Sequence, residues 1–457
     1  MMEKRDLVIV GGGSGGFGAA YQALQQGTFR VTLIEKNPGL GGTSTFGGVN
    51  CWEPGVGGEG VHRQLAEYLM KRDAGFVGES YGCGVTPDTP WGRSGRSPDS
   101  YEETLVRADR TDLRRFHFEP EAMDAAMQQI LHQVDTNHRL ELLLQNELVA
   151  VTTDCGQIKS LTVQTPQGDR TFCPKLVIDC SAELVVARAA GCKVDVGEDA
   201  QSKYQEPSAP DHSQRILNGL TQVFRVTPDT PDYIEQIPAC YTDVDLSAWL
   251  AYMQEVNVPL SCFNDYPNGD ININMLPTMP GEAWLQLPHE QLKHICEARV
   301  YAYWNWVATA HNFTGYRICH LFPMLGIRES YRLVGKYVLT EKDLYDRYPV
   351  SLGKDHIVAF ADHPADLHGR SNKKGGMTTF LKYGIPYECM LPNEVDNLLV
   401  ACRGASFSHI AASSARLSRT MIALGEAAGA AACQCLEQNL APENVVLHAL
   451  RKRLQIV

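Results

Sequence analysis

The N-terminal part of the chain alternates between short apolar runs and a helical pattern of small residues. Leu7–Val10 is a continuous apolar run that predicts a buried strand, and Gly16–Gln26 has helical periodicity. Arg30–Lys36 predicts a second strand with an acidic residue near its end. A strand, a helix and a strand within about 30 residues indicate a βαβ unit with parallel strands.

The pattern changes further along the chain. Helices are predicted at Val61–Arg72 and Glu119–Asn137, separated by Gly75–Asp99, which is rich in Gly, Pro and Ser and should be irregular. Alternating apolar and polar stretches between Leu140 and Ser181 predict a small β-meander. The region that follows mixes strands with an aromatic-rich helix at Glu290–His311.

The two ends of the chain form parts of one predicted domain. A strand, a loop and a long small-residue helix, Leu417–Glu437, close the sequence. We therefore predict an α/β fold in which a Rossmann-like cofactor-binding domain with a β-meander comprises residues 1–195 and 325–457. An α+β substrate or cap domain, residues 196–324, is inserted into it.

Composition and charge narrow the range of partners. A length of 457 residues favours two domains, and a net charge of -12 opposes binding to nucleic acid or to anionic membranes. No apolar stretch reaches about 18 residues, and the apolar run at Leu7–Val10 is too short for a signal peptide, so we expect neither a transmembrane helix nor a signal peptide. Fourteen cysteines show no disulfide spacing, so we expect a cytoplasmic protein with mostly free thiols. Assembly into a homo-oligomer is left open.

Glycines at the first strand–helix turn have the spacing of a phosphate-binding loop. Gly11 allows the tight turn, Gly13 lets the backbone approach a pyrophosphate, and Gly16 lets the helix pack on the sheet. The helix N-terminus supplies N–H groups for phosphate charge. Glu35 stands where an acid accepts hydrogen bonds from a ribose. Together these features favour a dinucleotide over an ordinary glycine turn.

Two later segments favour FAD over NAD. Glu35 is followed by a second glycine-rich loop, in which Gly41, Gly42 and Thr43 would bring backbone against an extended cofactor; a merely flexible loop is the alternative. The N-terminus of the C-terminal helix, aimed at a flavin, would stabilise negative charge on the reduced ring. No second GxGxxG occurs in the middle of the chain, so no separate NAD(P)H domain is expected.

These segments resemble the family of FAD-dependent oxidoreductases that have a two-part, glutathione-reductase-like FAD domain. The resemblance rests on VIVGGGSGGFGAA, EKNPGLGGTSTFGGVN, LVIDCSAE, LGIRESYRLVGKYVLTEKD, IPYECMLP and NLLVACRGASFSHIAASSARLSRTMIALGEAAGAAA. The GIRES and C-terminal stretches are the most specific of these. The opening stretch is shared with many flavoproteins.

The resemblance implies which residues hold FAD. The predicted cofactor-binding residues are Gly11, Gly13, Ser14, Gly15, Gly16, Glu35, Lys36, Gly42, Thr43, Gly47, Gly48, Val149, Ser181, Arg403, Arg416, Leu417 and Ser418. Val149 would offer its backbone to the adenine, and Gly47 and Gly48 would lie along the ribityl chain and ring. Cys402 departs from the family pattern, which has glycine there, and places a thiol near the ribityl chain.

Candidates for catalysis are few. Arg328, in GIRES, would bind an anionic group or stabilise charge at the flavin; an Arg–Glu pair that ties the domains together is the alternative. His409, just before the flavin-facing helix, would act as a base, with a satisfied core or surface histidine as the alternative. Cys51 is a candidate redox or covalent partner of the flavin, although packing explains such a cysteine more often.

Three further groups of residues are better explained by structural roles than by catalysis or metal binding. His289 and His294 are five apart and lie off one helical face, so a zinc site is not expected, and we predict no metal. His320 has no evident partner, which favours a structural role. The aromatic run Tyr301–Val307 is typical of a core, with a place in the substrate pocket wall as the alternative.

The sequence thus predicts an FAD-dependent oxidoreductase of the dehydrogenase or oxidase type, which moves a hydride between a small organic substrate and bound flavin. A flavin monooxygenase that uses transient NAD(P)H and O2 is an alternative. An electron-relay flavoprotein and a degenerate flavoprotein that only binds ligands are alternatives from other classes.

Overall fold

The computed structural model describes residues 2–78, 95–106, 114–256, 261–349, 351–368 and 382–456. Its strands are β1 (Met2–Val10), β2 (Val31–Glu35), β3 (Cys51–Trp52), β4 (Gly75–Gly78), β5 (Arg115–Phe118), β6 (Leu140–Leu144), β7 (Glu147–Asp154), β8 (Gln157–Thr165), β9 (Gly168–Asp179), β10 (Val194–Asp195), β11 (Phe224–Pro228), β12 (Cys262–Asp265), β13 (Ile271–Asn274), β14 (Tyr316–Leu321), β15 (Arg332–Leu333), β16 (Ile357–Ala361), β17 (Tyr383–Pro386) and β18 (Leu398–Val400). Its helices are α1 (Ser14–Gln26), α2 (Gly60–Met70), α3 (Tyr101–Val106), α4 (Pro120–Val134), α5 (Val185–Ala189), α6 (Gln201–Tyr204), α7 (Ser247–Val256), α8 (His289–Ala310), α9 (Glu341–Tyr345), α10 (His409–Ala415), α11 (Ser418–Gln438) and α12 (Leu447–Arg453).

A parallel sheet forms the centre of the molecule. Its parallel strands stand in the order β6, β2, β1, β9 and β18, with α1 connecting β1 to β2. All five residues of β2 are buried, because a parallel sheet is covered on both faces. Gly11 follows β1 directly, at the carboxyl edge where open α/β sheets bind their ligands. The Rossmann-like α/β fold is confirmed.

The long strand β9 belongs to two arrangements. Near its start it pairs in antiparallel fashion with β8, and near its end it pairs in parallel with β18. Strands β7, β8 and β9 form the predicted meander, but its predicted start was wrong. Leu140–Leu144 hydrogen-bonds in parallel to β2 instead, so the meander begins at Glu147.

Helices α1 and α11 contact each other through their backbones. A Cβ atom on Gly18 would lie 2.3 Å from the carbonyl oxygen of Ile422. One on Gly425 would lie 2.0 Å from the carbonyl oxygen of Gly15. Glycine is therefore required at these positions, because the backbone of α1 packs directly on the backbone of α11.

Strands β12, β13, β11 and β14 form a second, antiparallel sheet, which we call the cap sheet. One face carries Phe224, Phe263 and Ile273, which pack in a core with residues of α8. The opposite face is polar and packs against the glycine-rich loop that follows β2. There the Asn272 amide donates to the carbonyl of Gly48 at 2.7 Å. The cap sheet and α8 lie within the predicted cap domain, whose boundaries stay a prediction.

The remaining elements complete the picture around the central sheet. Strands β3, β5 and β4 form a small antiparallel sheet, so that Gly75–Gly78 is regular and not irregular as predicted; residues 79–94 of that stretch lie outside the described residues. The predicted helices at Val61–Arg72, Glu119–Asn137, Glu290–His311 and Leu417–Glu437 correspond to α2, α4, α8 and α11. No helix in the described part of the chain combines the length and apolar character needed to cross a membrane.

Candidate functional site

A cavity of about 710 Å³ runs from the carboxyl edge of the parallel sheet to the polar face of the cap sheet. This volume lies within the range of small-molecule and cofactor sites. Among the predicted cofactor-binding residues, those that line it are Gly11, Gly13, Ser14, Gly15, Glu35, Lys36, Gly42, Thr43, Ser181, Arg403, Arg416, Leu417 and Ser418. On the cap side the wall includes Thr221, Cys262, Asn264, Asn274, Trp284 and Arg328.

The first glycine turn has the shape of a phosphate cradle. Gly11 has a φ of +100°, and a Cβ there would meet the backbone of Cys180 and Ser181 at 2.7 Å. A Cβ on Gly16 would lie 1.8 Å from the carbonyl oxygen of Gly11, so this glycine lets α1 pack on the turn. A Cβ on Gly13 would meet no atom within 4 Å, because Gly13 faces the open cavity.

The second glycine-rich loop and Glu35 complete this end of the cavity. Gly42 has a φ of +52° and lies opposite the first turn, with its Cβ position 3.5 Å from Cα of Gly13. The Glu35 carboxylate accepts hydrogen bonds from the backbone N–H groups of Gly12, at 2.6 Å, and Asn37, at 2.8 Å. It is thereby fixed at the end of β2, on the cavity wall.

Two helix N-termini meet this cavity. Ser14 and Gly15 begin α1, and Leu417 and Ser418 begin α11. Among the described residues no side chain caps either helix, so their first N–H groups stay available to an anionic ligand. The Ser418 hydroxyl lies 3.2 Å from that of Ser44, which ties α11 to the second glycine loop.

Four predicted contact residues are absent from the cavity wall, and one of them is Gly16, which packs α1 on the glycine turn. Val149 is 51% exposed, because a β-bulge between Leu148 and Ala150 turns it outward; the cavity wall is formed by 146–148 instead. Gly47 and Gly48 stand behind the cavity, not along it. A Cβ on Gly48 would lie 2.2 Å from the ring of Phe322, so this glycine lets the loop pack against the cap side.

The C-terminal wall of the cavity includes the thiol of Cys402 and the guanidinium of Arg403. The Cys402 thiol donates to the carbonyl of Ser181 at 3.1 Å, and burial raises its pKa to about 12, so it stays protonated and structural. The Arg403 guanidinium forms no hydrogen bond or ion pair with the described residues. Burial, the main cause, lowers the pKa of Arg403. A bound anion is the natural partner of such a group.

Arg328 lies on the cavity wall, on the cap side. Its guanidinium donates to the carbonyl of Gly219 at 2.9 Å and to the hydroxyl of Thr221 at 2.7 Å. Burial and the charge of Arg416 lower its pKa to about 10, which leaves it protonated at neutral pH. The alternative of a pair between Arg328 and its neighbour Glu329 is not what the structure shows.

A histidine–aspartate pair that the sequence analysis missed stands beside Arg328. His368 Nε2 lies 2.8 Å from the carboxylate of Asp366, which also binds the Arg416 guanidinium at 2.5 Å. Burial, followed by the charge of Arg328, lowers the pKa of His368 to about 4. The ring is therefore neutral at physiological pH, and its Nδ1 bonds to none of the described residues.

His409 lies in different surroundings from those predicted. It is 3% exposed and is absent from the cavity wall, and its Nδ1 lies 2.8 Å from the Glu329 carboxylate. Glu329 also pairs with Arg332, which binds Asp199 at 2.8 Å. Although burial opposes it, the charges of His409 and Arg332 hold the pKa of Glu329 below its usual value. The structure thus gives His409 a place in a buried ion-pair cluster, out of contact with the cavity.

The other candidates fall on both sides of the wall. Cys51 and His289 line the cavity, whereas His320 packs edge-on against Phe322 on the cap side. The aromatic run Tyr301–Val307 contributes to the core between α8 and the cap sheet, which agrees with the predicted core role. His62, which the sequence analysis did not single out, also lines the cavity.

His62 is held in place by two aromatic residues. Its ring stacks on Trp52 at a centroid distance of 4.0 Å, and its Nδ1 lies 3.2 Å from the hydroxyl of Tyr101. Burial is the main cause that lowers the pKa of His62 to about 3. This histidine therefore acts as a neutral, largely apolar part of the wall.

These features fit an extended dinucleotide. The open space at Gly13, the backbone cradle between Gly13 and Gly42, and two uncapped helix N-termini suit a pyrophosphate-bearing cofactor. A family model described as FAD dependent oxidoreductase matches residues 6–454, and the chain belongs to this family. The protein is an FAD-dependent oxidoreductase, and FAD is its cofactor. The glutathione-reductase-like subtype stays a prediction.

The names of similar solved structures describe several kinds of reaction. One is p-nitrophenol 4-monooxygenase PnpA from Pseudomonas putida DLL-E4, with 10% identity and a TM-score of 0.43, over 74% of this chain and 70% of that one. A geranylgeranyl bacteriochlorophyll reductase-like protein from Thermoplasma acidophilum has 13% identity and a TM-score of 0.44, over 100% and 83%. L-proline dehydrogenase from P. horikoshii has 11% identity and a TM-score of 0.40, over 98% and 96%. No curated protein matches the chain.

Proposed function

We propose that this FAD-dependent oxidoreductase moves a hydride between a small organic substrate and its bound flavin. The observation that carries the proposal is the continuity of the cavity, which joins the glycine turn at Gly13 to Asn264 and Arg328 on the cap side. A small molecule bound under the cap sheet would share one chamber with the cofactor. An electron-relay protein has no need of such a chamber.

The cofactor would be held by the two glycine loops, Glu35, Arg403 and the N-terminus of α11. When bound, FAD supplies the two-electron chemistry, because its ring accepts a hydride from a C–H bond. The protein supplies position and charge. Arg328 would orient the substrate through its guanidinium, which the carbonyl of Gly219 and the hydroxyl of Thr221 hold in a fixed direction.

His368 would take the proton that leaves the substrate O–H or N–H group as its C–H bond is oxidised. The ring is neutral, Asp366 orients it through Nε2, and Nδ1, which bonds to none of the described residues, would accept the proton. This assignment replaces His409 as the base. His409 would instead help to position His368 through a chain of hydrogen bonds. His409 contacts Glu329, and Glu329 accepts from the Asn218 side chain at 3.0 Å. The Asn218 side-chain carbonyl in turn accepts from the backbone N–H of His368 at 2.7 Å.

Anaerobic mixing of the holoprotein with a panel of small metabolites tests the proposal, with flavin absorbance as the readout. We expect at least one compound to bleach the flavin without NAD(P)H, and His368→Gln to slow this step by about 10²- to 10⁴-fold while retaining FAD. Bleaching only by NAD(P)H, followed by oxygenation of a substrate in air, would favour the monooxygenase. Bleaching only by a reduced protein would favour the relay.

A further inference from the structure

The cap side of the cavity holds a positive charge that its protein surroundings do not neutralise. Among the described residues, Arg328 donates only to the neutral oxygens of Gly219 and Thr221. Asp366 binds Arg416 directly and therefore compensates that cation first. An enclosed guanidinium without a carboxylate partner is costly in an empty site and favours an anionic ligand.

The cap sheet presents polar groups to the same space. Side chains alternate between the two faces of a strand, so Cys262 and Asn264 lie on the same face of β12. Asn274, on the neighbouring strand β13, is directly opposite Cys262 and shares that face. All three line the cavity. Asn264 is 2% exposed, and its side-chain oxygen forms no hydrogen bond with the described residues. A buried acceptor is normally hydrogen-bonded, so the Asn264 side chain has unused hydrogen-bonding capacity next to the cavity.

Apolar side chains also line this chamber. Trp284, Leu287 and Leu292 line it beside the asparagines. Leu292 is buried in a small cluster with Leu220 and Leu325 at the foot of the cap sheet. An anion held at Arg328 would therefore place any carbon skeleton that it carries against apolar side chains.

We propose that the enzyme takes small organic carboxylates, whose carboxylate pairs with the guanidinium of Arg328 and whose body lies under the cap sheet. A planar guanidinium matches the two oxygens of a carboxylate better than a lysine does. A substrate hydroxyl or amino group would lie near the polar side chains of Asn264 and Asn274, which line the same chamber. The inference rests on the proposed function, since it treats this ligand as the substrate.

Carboxylate binding would also prepare the base. The positive charge of Arg328 is, after burial, the largest cause that lowers the pKa of His368. A carboxylate bound to Arg328 would offset that charge. The pKa of His368 would therefore rise toward about 7 when a substrate is bound. Proton transfer is most effective when the pKa of the base lies near the working pH.

Binding of simple probes to the holoprotein tests the inference without turnover. Benzoate and acetate are titrated in parallel with the neutral amides benzamide and acetamide, and the visible flavin spectrum reports binding. We expect saturable changes with a carboxylate and none with its amide. Arg328→Gln should weaken carboxylate binding roughly 10- to 150-fold, and Arg328→Lys by less. Arg317→Gln, on the outside of the cap sheet, should bind as the wild type does.

Three outcomes would overturn the inference: equal binding of carboxylates and amides, unchanged carboxylate binding by Arg328→Gln, or loss of FAD from that variant. The last would assign the cation to the cofactor. A failure of the proposed function looks different. In that case carboxylates still bind through Arg328, but no organic compound bleaches the flavin.

Discussion

Replacement of Gly13 by valine separates cofactor binding from folding. Gly13 has φ -69° and ψ -168°, an extended conformation that any residue adopts. A Cβ there meets no protein atom within 4 Å, so the cost to the apoprotein is that valine is a poorer helix N-cap than glycine, and its free energy of unfolding should fall by at most about 1 kcal/mol. The whole side chain then projects into the cavity, where the cofactor must pass the turn.

The cost therefore falls on the complex. Forcing extra methyl groups into an occupied site costs about 1–3 kcal/mol, which corresponds to roughly 5- to 150-fold weaker FAD binding. The assay is titration of the apoprotein with FAD, followed by flavin fluorescence, together with thermal unfolding of the apoprotein. Gly13→Ala adds one carbon, and its affinity for FAD should lie between those of the wild type and Gly13→Val. Wild-type affinity in Gly13→Val would refute the reasoning, and so would an apoprotein destabilised as strongly as its FAD binding.

Three further predictions concern stability. Arg332→Met leaves Glu329 without its arginine and should lower the free energy of unfolding by about 3–5 kcal/mol, measured by denaturant midpoints, whereas exposed Arg317→Met should cost at most about 1 kcal/mol. Gly425→Ala should also destabilise, by about 1–3 kcal/mol, and a gain in thermal midpoint from its better helix propensity would contradict the backbone contact. Because native His62 stays neutral down to about pH 3 while the unfolded chain protonates it below about 6.5, stability should fall as pH falls through that window. His62→Phe should reduce this slope by about 1.4 kcal/mol per pH unit, and parallel pH profiles would count against the assignment.

Local features of the site could be predicted from the sequence. The turn at Gly11, Gly13 and Gly16 depends on residues a few positions apart, and the backbone conformation that each glycine allows is a property of the chain itself. The N-terminus of α11 was placed within one residue for the same reason. Arg328, which lines the cavity, could be singled out because it belongs to the GIRES motif.

Residues positioned by distant contacts could not be predicted. His368 faces Arg328 because Asn218, 150 positions earlier in the chain, holds its backbone N–H. Val149 points outward because a single unpaired residue in β7 shifts the register, which alternation alone does not show. His409 begins a helix near the cavity, but its direction is set by Glu329, 80 positions away.

The two faces of the cap sheet bear on how this chain can diversify. Phe263 and Ile273 hold the core, while Asn264 and Asn274, their neighbours along the same strands, face the chamber. Because the side chains alternate between the two faces, a substitution at Asn274 changes the wall of the chamber without replacing any side chain of the core beneath α8. The lining of the chamber and the core of the cap sheet can therefore vary independently of each other in sequence.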